Sequence, residues 1–100
     1  MSYTIKLLPE ARADLKDLID YYEEKQVGLG ARFFKQLIPT IRRVSQTPAI
    51  FQIRYKEVRQ APIQKFPIWI HYLIEEKEKR VVIIAVTHSS RNPQVWKDRS

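Results

Sequence analysis

Residues 66–99 read FPIWIHYLIEEKEKRVVIIAVTHSSRNPQVWKDR, and this stretch decides the fold. It holds two dense apolar runs, Ile68–Ile74 and Val81–Val86, parted by the charged segment Glu75–Arg80. Uninterrupted runs of β-branched and aromatic residues this short predict strands buried on both faces. Two such strands in a chain of 100 residues belong at the centre of its sheet. The polar tail His88–Arg99 then leaves beside the core, carrying one of the two histidines, two arginines and a tryptophan. Polar side chains are least needed for packing there, so the tail is the first place to look for function.

Working outward, Phe66–Ile74 and Arg80–Thr87 are the two strands, with Pro67 near a strand start, where a missing N–H is tolerated. The loop Glu75–Lys79 lacks glycine, which argues against a two-residue type I′ turn. Upstream, Tyr55–Gln60 predicts an edge-like strand, Gln60–Ile63 a turn, and Ala49–Arg54 a partly extended connector. Tyr3–Leu8 alternates polar and apolar residues and predicts the first strand. Pro9 stops that strand and suits the first turn of a helix. In Glu10–Lys25, Ala11, Leu15, Leu18, Ile19 and Tyr22 recur at the spacing of one helical face. Gln26–Gly30 holds both glycines and predicts the turn to a second, antiparallel helix, Leu29–Gln46. Its expected buried face is Phe34, Leu37, Ile38, Ile41 and Val44. Pro39 costs roughly 3 kcal/mol inside a helix, which predicts a kink or a second short helix beginning there. Asn92–Lys97 predicts a short helical turn. The result is an α+β plan, βααβββ, in which a helical hairpin packs on a small, mostly antiparallel sheet. No linker or repeat divides residues 1–100, which are expected to form one domain.

No cysteine is present, which excludes disulfides and cysteine zinc sites and fits a reducing cytosol. The start, MSYTIKLLPEARADL, lacks a long apolar run, and the apolar stretches elsewhere are too short to span a bilayer. A soluble cytoplasmic protein without a membrane partner is expected. Net charge is +7 and unevenly placed. Residues 1–30 carry four basic and six acidic groups, whereas residues 31–100 carry fourteen and five. That asymmetry points to an anionic partner, nucleic acid or an acidic protein segment. His71, inside an apolar run, reads as a hydrogen-bonded structural residue. Two histidines without a clustered acidic partner make a poor metal site, so neither a metal nor a cofactor is expected. Gly-rich phosphate loops, a Ser/His/Asp set and a helix-turn-helix signature are missing from the sequence.

An ordered set of residues carries a resemblance across nearly the whole chain. It comprises Ala11, Asp14, Leu15, Ile19 and Tyr22; Ala31, Phe34 and Leu37; Pro48; Glu57-Val58-Arg59; and Phe66-Pro67 leading to Tyr72. The tail adds Val86, His88, Arg91, Pro93, Trp96 and Arg99. The chain resembles the RelE/ParE superfamily of bacterial toxins from type II toxin–antitoxin modules. RelE-type members are ribosome-dependent mRNA endonucleases, whereas ParE-type members are best known as poisons of DNA gyrase and need no catalytic residues. The RelE pattern places an arginine in a strand motif resembling Tyr-Arg-x-x-Tyr. Here the segment is Ile68-Trp69-Ile70-His71-Tyr72, with an indole that cannot charge-pair a phosphate. That departure, the Phe-Pro entry and the His-x-x-Arg-x-Pro-x-x-Trp tail are similar to the ParE-like branch.

The resemblance implies a growth-inhibiting toxin that traps gyrase, neutralised by a cognate acidic, partly disordered antitoxin in a toxin–antitoxin hetero-oligomer. The alternatives are an mRNA interferase with ribosome and mRNA as partners, or a decayed, non-toxic antitoxin-binding module. RNA cleavage through the 2′-hydroxyl needs a base, an acid and cations at the phosphate. His88 would be the base or acid, and Arg59, Lys65 and Arg91 the cations. For partner binding the candidates are Arg59, Lys65, His88, Arg91, Trp96 and Arg99. Several read two ways: His88 as a structural strand-end histidine, Arg59 as half of a salt bridge, Trp96 as a lid folded over the core or an exposed anchor.

Overall fold

The computed structural model describes residues 2–90 and 93–99. Strand β1 (Thr4–Leu7) leads to helix α1 (Pro9–Lys25) and helix α2 (Leu29–Gln46). A short 3-10 turn (Pro48–Ile50) is followed by β2 (Ile53–Tyr55), β3 (Val58–Pro62), β4 (Ile68–Glu75), β5 (Arg80–His88) and a final helical turn, α3 (Gln94–Lys97). The strands form one sheet in the order β1-β5-β4-β3-β2. β1 lies parallel to β5 and every other pairing is antiparallel. The expected α+β architecture is the observed one.

The central pair is the β4–β5 hairpin. At its turn end Arg80 Nε donates to Glu75 Oε1 at 2.6 Å, closing a loop in which Lys79 takes φ of 50°. The register slips between His71 and Tyr72, which face Ala85 and Ile83 respectively. Ile84 is thus the extra residue of a bulge. The bulge resets the alternation of β5. Ile83 and Val86 pack with the helices, whereas Ile84 and Ala85 pack with Trp96 on the opposite face. Residues 81–87 are consequently all buried, as an uninterrupted apolar run requires.

The first core lies between helices and sheet. Ala11 and Leu15 of α1 meet Phe33, Leu37 and Val44 of α2 over Ile68, Ile70, Tyr72, Val81 and Ile83. Tyr22, Phe33 and Phe66 form an aromatic triangle with centroids 5.0–5.3 Å apart. The buried face of α2 is Gly30, Phe33, Leu37, Thr40 and Val44, not the row that includes Phe34 and Ile38. Two apolar rows run side by side along α2, and the sheet covers only one; Phe34 and Ile38 remain exposed. Thr40 is tolerated on the buried row because its hydroxyl donates to Gln36 O at 3.4 Å. Helix α2 also runs through Pro39 as one element, so no second helix begins there. Pro39 lies on the exposed side, where the carbonyl it frees one turn earlier meets water.

The segment Tyr55–Gln60 is not one strand. Tyr55 pairs with Val58 around Lys56-Glu57, so the chain makes a small hairpin, β2–β3, and β2 forms the edge. Lys56 adopts φ of 50°, a left-handed conformation that gives its side chain no signal of a turn. Nor is Gln60–Ile63 a turn: β3 continues to Pro62, which sits opposite Trp69.

Between the helices Gly28 takes φ of 89°. The Glu23 carboxylate accepts the Gly28 N–H at 2.9 Å and the Gly30 N–H at 3.1 Å, satisfying donors that the start of α2 leaves open. A Cβ on Gly30 would stand 2.8 Å from Ile19 O of α1. Helix propensity alone predicts that Gly30→Ala stabilises by about 1 kcal/mol. The close approach predicts the opposite sign, a loss of roughly 1–3 kcal/mol in urea unfolding. A raised midpoint would refute the close helix contact.

Candidate functional site

The second face of the sheet carries the polar chemistry. His71 on β4 is 1% exposed and stacks on the indole of Trp96, ring centroids 4.3 Å apart. Gln60 on β3, its register partner, brings Nε2 to 3.3 Å from His71 Nδ1. Thr87 on β5 brings Oγ1 to 2.8 Å from His71 Nε2. An amide NH2 only donates, so Nδ1 accepts, the ring proton sits on Nε2, and that N–H donates to Thr87. Burial lowers the His71 pKa to about 4, with Asp14 pulling it up and Arg99 pushing it down less strongly. His71 is thus a neutral spacer in a satisfied three-strand network, as its apolar surroundings suggest.

Trp96 is 4% exposed and also meets Tyr55 edge-on at 6.0 Å. Of its two readings, the lid is the observed one; its ring is not available as a surface anchor. Arg99 is likewise committed. Its Nη1 donates to Asp14 Oδ2 at 2.7 Å and to Ile84 O at 3.2 Å. Asp14 Oδ2 in turn accepts the Val86 N–H at 3.0 Å. β1 pairs with β5 only as far as Ile83, so Asp14 and Arg99 satisfy the backbone groups of β5 beyond the point where β1 has ended. Sequence reading missed this pairing because it joins residues 85 positions apart. An acid and a base on separate elements carry no periodic signal.

Arg59 is a clamp rather than half of a salt bridge. Its Nη1 donates to Phe51 O at 2.7 Å and Ala49 O at 3.4 Å. Its register partner Tyr72 donates its hydroxyl to Pro48 O. Burial pushes the Tyr72 pKa up to about 12, keeping the hydroxyl a donor. Together the two side chains fasten the 3-10 turn to the sheet.

His88, at the exposed end of β5, accepts the Ser90 N–H on Nδ1 at 3.1 Å, with Ser90 Oγ 2.8 Å from the same atom. The neutral ring therefore carries its proton on Nε2 and presents a donor outward, which suits it poorly as a base. His88 lies at the meeting of two clefts. One, of about 320 Å³, is lined by Asp14, Asp17, Leu18 and Tyr21. The smaller, of about 80 Å³, is lined by Gln60, Trp69 and His71. Lys65 lines a different cleft, beside α2. Arg91 lies outside the described residues. The structure thus keeps His88 and Lys65 exposed but on different clefts, and turns Arg59, Trp96 and Arg99 inward. Gln60, Thr87 and Asp14, which organise the region, were not candidates; strand register reveals the first two, and the packing of α1 against β5 reveals Asp14.

Two measurements check this geometry. A histidine neutral in the folded state and free to protonate when unfolded stabilises the protein fully above pH about 6.5. That stability drains as pH falls toward about 4, by roughly 3 kcal/mol in all. Urea unfolding across this range is expected to lose that component of its slope in His71→Asn, and an unchanged slope would contradict a neutral His71. Arg99→Ala, which leaves Asp14 unpaired in a half-buried setting, is expected to cost about 2–3 kcal/mol. A cost below about 0.5 kcal/mol, as for an exposed pair, would reject the structural role.

Comparison with known proteins completes the picture. The family model described as the ParE toxin of the type II toxin–antitoxin system, parDE, matches residues 5–93. A chain of the chromosomal ParDE toxin–antitoxin system of P. aeruginosa superposes with a TM-score of 0.73 at 15% identity, covering 87% of this chain and 96% of that one. The RelBE toxin–antitoxin complex of E. coli gives 0.71 at 16% identity, covering 90% and 100%. The RelBE2 complex of Mycobacterium tuberculosis gives 0.65 at 20% identity, covering 88% and 92%. A search of curated protein sequences finds no match. These likenesses establish a common fold, and the family match over residues 5–93 carries the assignment further: the chain belongs to the ParE toxin family of type II toxin–antitoxin systems.

Proposed function

We propose that this toxin acts by binding and not by catalysis: it inhibits growth by trapping DNA gyrase in the cytoplasm and is silenced by a cognate acidic antitoxin. One observation supports the non-catalytic reading most. Arg59, one of the three cations a nuclease would aim at a phosphate, donates instead to the carbonyls of Phe51 and Ala49, and Lys65, another of them, lines a cleft apart from His88. A guanidinium turned toward the backbone is poorly aimed at a transferring phosphoryl group.

Three further features agree. Trp69 stands where the RelE pattern has an arginine, half-buried opposite Pro62. Buried His71 is neutral and cannot replace that charge. The Nδ1 lone pair of His88, which a general base would need, is already taken by the Ser90 N–H. The antitoxin reading draws on the excess of cations in residues 31–100 and on the ParDE and RelBE complexes that share this fold. Charge complementarity would speed that association, and apolar anchors would slow its reversal.

The reading is tested by inducing the protein without antitoxin and assaying DNA topology and transcript integrity in one culture. Altered supercoiling or gyrase-dependent DNA breaks with intact mRNA is expected. Cleaved transcripts with normal topology would establish the interferase alternative instead. Unimpaired growth together with tight antitoxin binding would establish the non-toxic module.

A further inference from the structure

Along one flank of α2 a trough separates the helix from the β3–β4 loop. One stretch, of about 340 Å³, is lined by Leu29, Arg32, Lys35, Gln36, Lys65 and Phe66. The next, of about 240 Å³, continues past the shared Gln36 to Pro39, Arg43, Phe51, Pro62 and Gln64. From Arg32 to Arg43 the helix rises about 16 Å, the reach of roughly five extended residues. Four cations line the trough, Arg32, Lys35 and Arg43 from the helix and Lys65 from the facing loop, and no carboxylate does. Among the described residues the ion pairs are Lys16–Asp20, Lys79–Glu76, Arg80–Glu75 and Arg99–Asp14, and none draws on these four cations.

We propose that this trough seats an extended acidic segment of a partner protein, its carboxylates meeting the four cations and its apolar side chains resting between them on Pro39, Pro62, Phe51 and Phe66. The proposal deepens the acidic-partner reading above and rests on it for the existence of such a partner. Charge selects an anion, and the floor selects which kind. Single-stranded nucleic acid needs open aromatic faces on which bases stack. Phe66 is held edge-to-face by Tyr22 at 5.0 Å and by Phe33 at 5.2 Å, and Phe51 packs half-buried against the core. Phe66 is thus engaged by two neighbouring rings and Phe51 is partly buried, which leaves small apolar patches better suited to aliphatic side chains than to stacked bases. Lys35 of the helix and Lys65 of the facing loop line the same end of the trough.

The test is fluorescence anisotropy with the full chain and a labelled peptide of about ten residues, alternating Asp or Glu with Leu, long enough to overhang the trough at ~3.3 Å per residue. Lys35→Glu/Lys65→Glu is expected to weaken binding by about tenfold or more. Lys6→Glu/Lys77→Glu, the same charge change on exposed positions elsewhere, is expected to weaken it less than about threefold. Circular dichroism confirms that both variants fold. Absence of wild-type binding, equal losses in the two variants, or tighter binding of an oligothymidine probe that the trough variant abolishes would each overturn the proposal. Growth is not measured, so failure here leaves the toxicity assay to stand or fall separately.

Discussion

The β4–β5 ladder is buried on both faces, and the rest of the molecule is arranged around that constraint. An eight-residue and a nine-residue strand of mainly β-branched side chains need cover on two sides. The helical hairpin supplies one side and the C-terminal turn bearing Trp96 the other. The bulge at Ile84 makes double cover possible, because it turns two successive residues of β5 toward Trp96 and returns Val86 to the helices. Where β1 runs out, Asp14 and Arg99 take its place on the edge of β5 and tie the second cover to the first.

That arrangement bears on function because it commits Trp96 and Arg99 of the tail to the fold. A tail rich in arginine, histidine and tryptophan looks like a catalytic or contact surface in sequence. In the fold two of its described residues, Trp96 and Arg99, are fastening. Arg99 closes an edge, Trp96 seals a face, and Arg59, one strand away, holds the turn after α2. Among the described residues, four cations share one trough elsewhere, along α2 and the β3–β4 loop. A binding protein needs no more than such a surface, whereas a nuclease needs cations and a base converging on one phosphate.

Much of the fold was legible in sequence, since its signals are local. Apolar run lengths gave β4 and β5, and 3.6-residue spacing gave α1 and the extent of α2. Three features were not. The rotation of α2 was ambiguous because Phe33 and Phe34 each begin an apolar row, and only the sheet chooses between them. The β2–β3 hairpin turns on Lys56 at positive φ, without a Gly, Asn or Pro to announce it. The roles of Gln60 and Thr87 depend on register across strands, and that of Asp14 on how α1 docks beside β5, neither of which composition encodes. The candidate residues fall on separate parts of the fold, and the work done by Arg59, Trp96 and Arg99 becomes visible only with their partners.

The central claim is that this toxin inhibits through its surface, without a chemical step at the end of β5. It is tested most directly by inducing His88→Ala beside the unaltered chain at matched protein levels. The account predicts growth arrest as complete in the variant as in the original. Restored growth from a variant that still folds and still binds its antitoxin would contradict it.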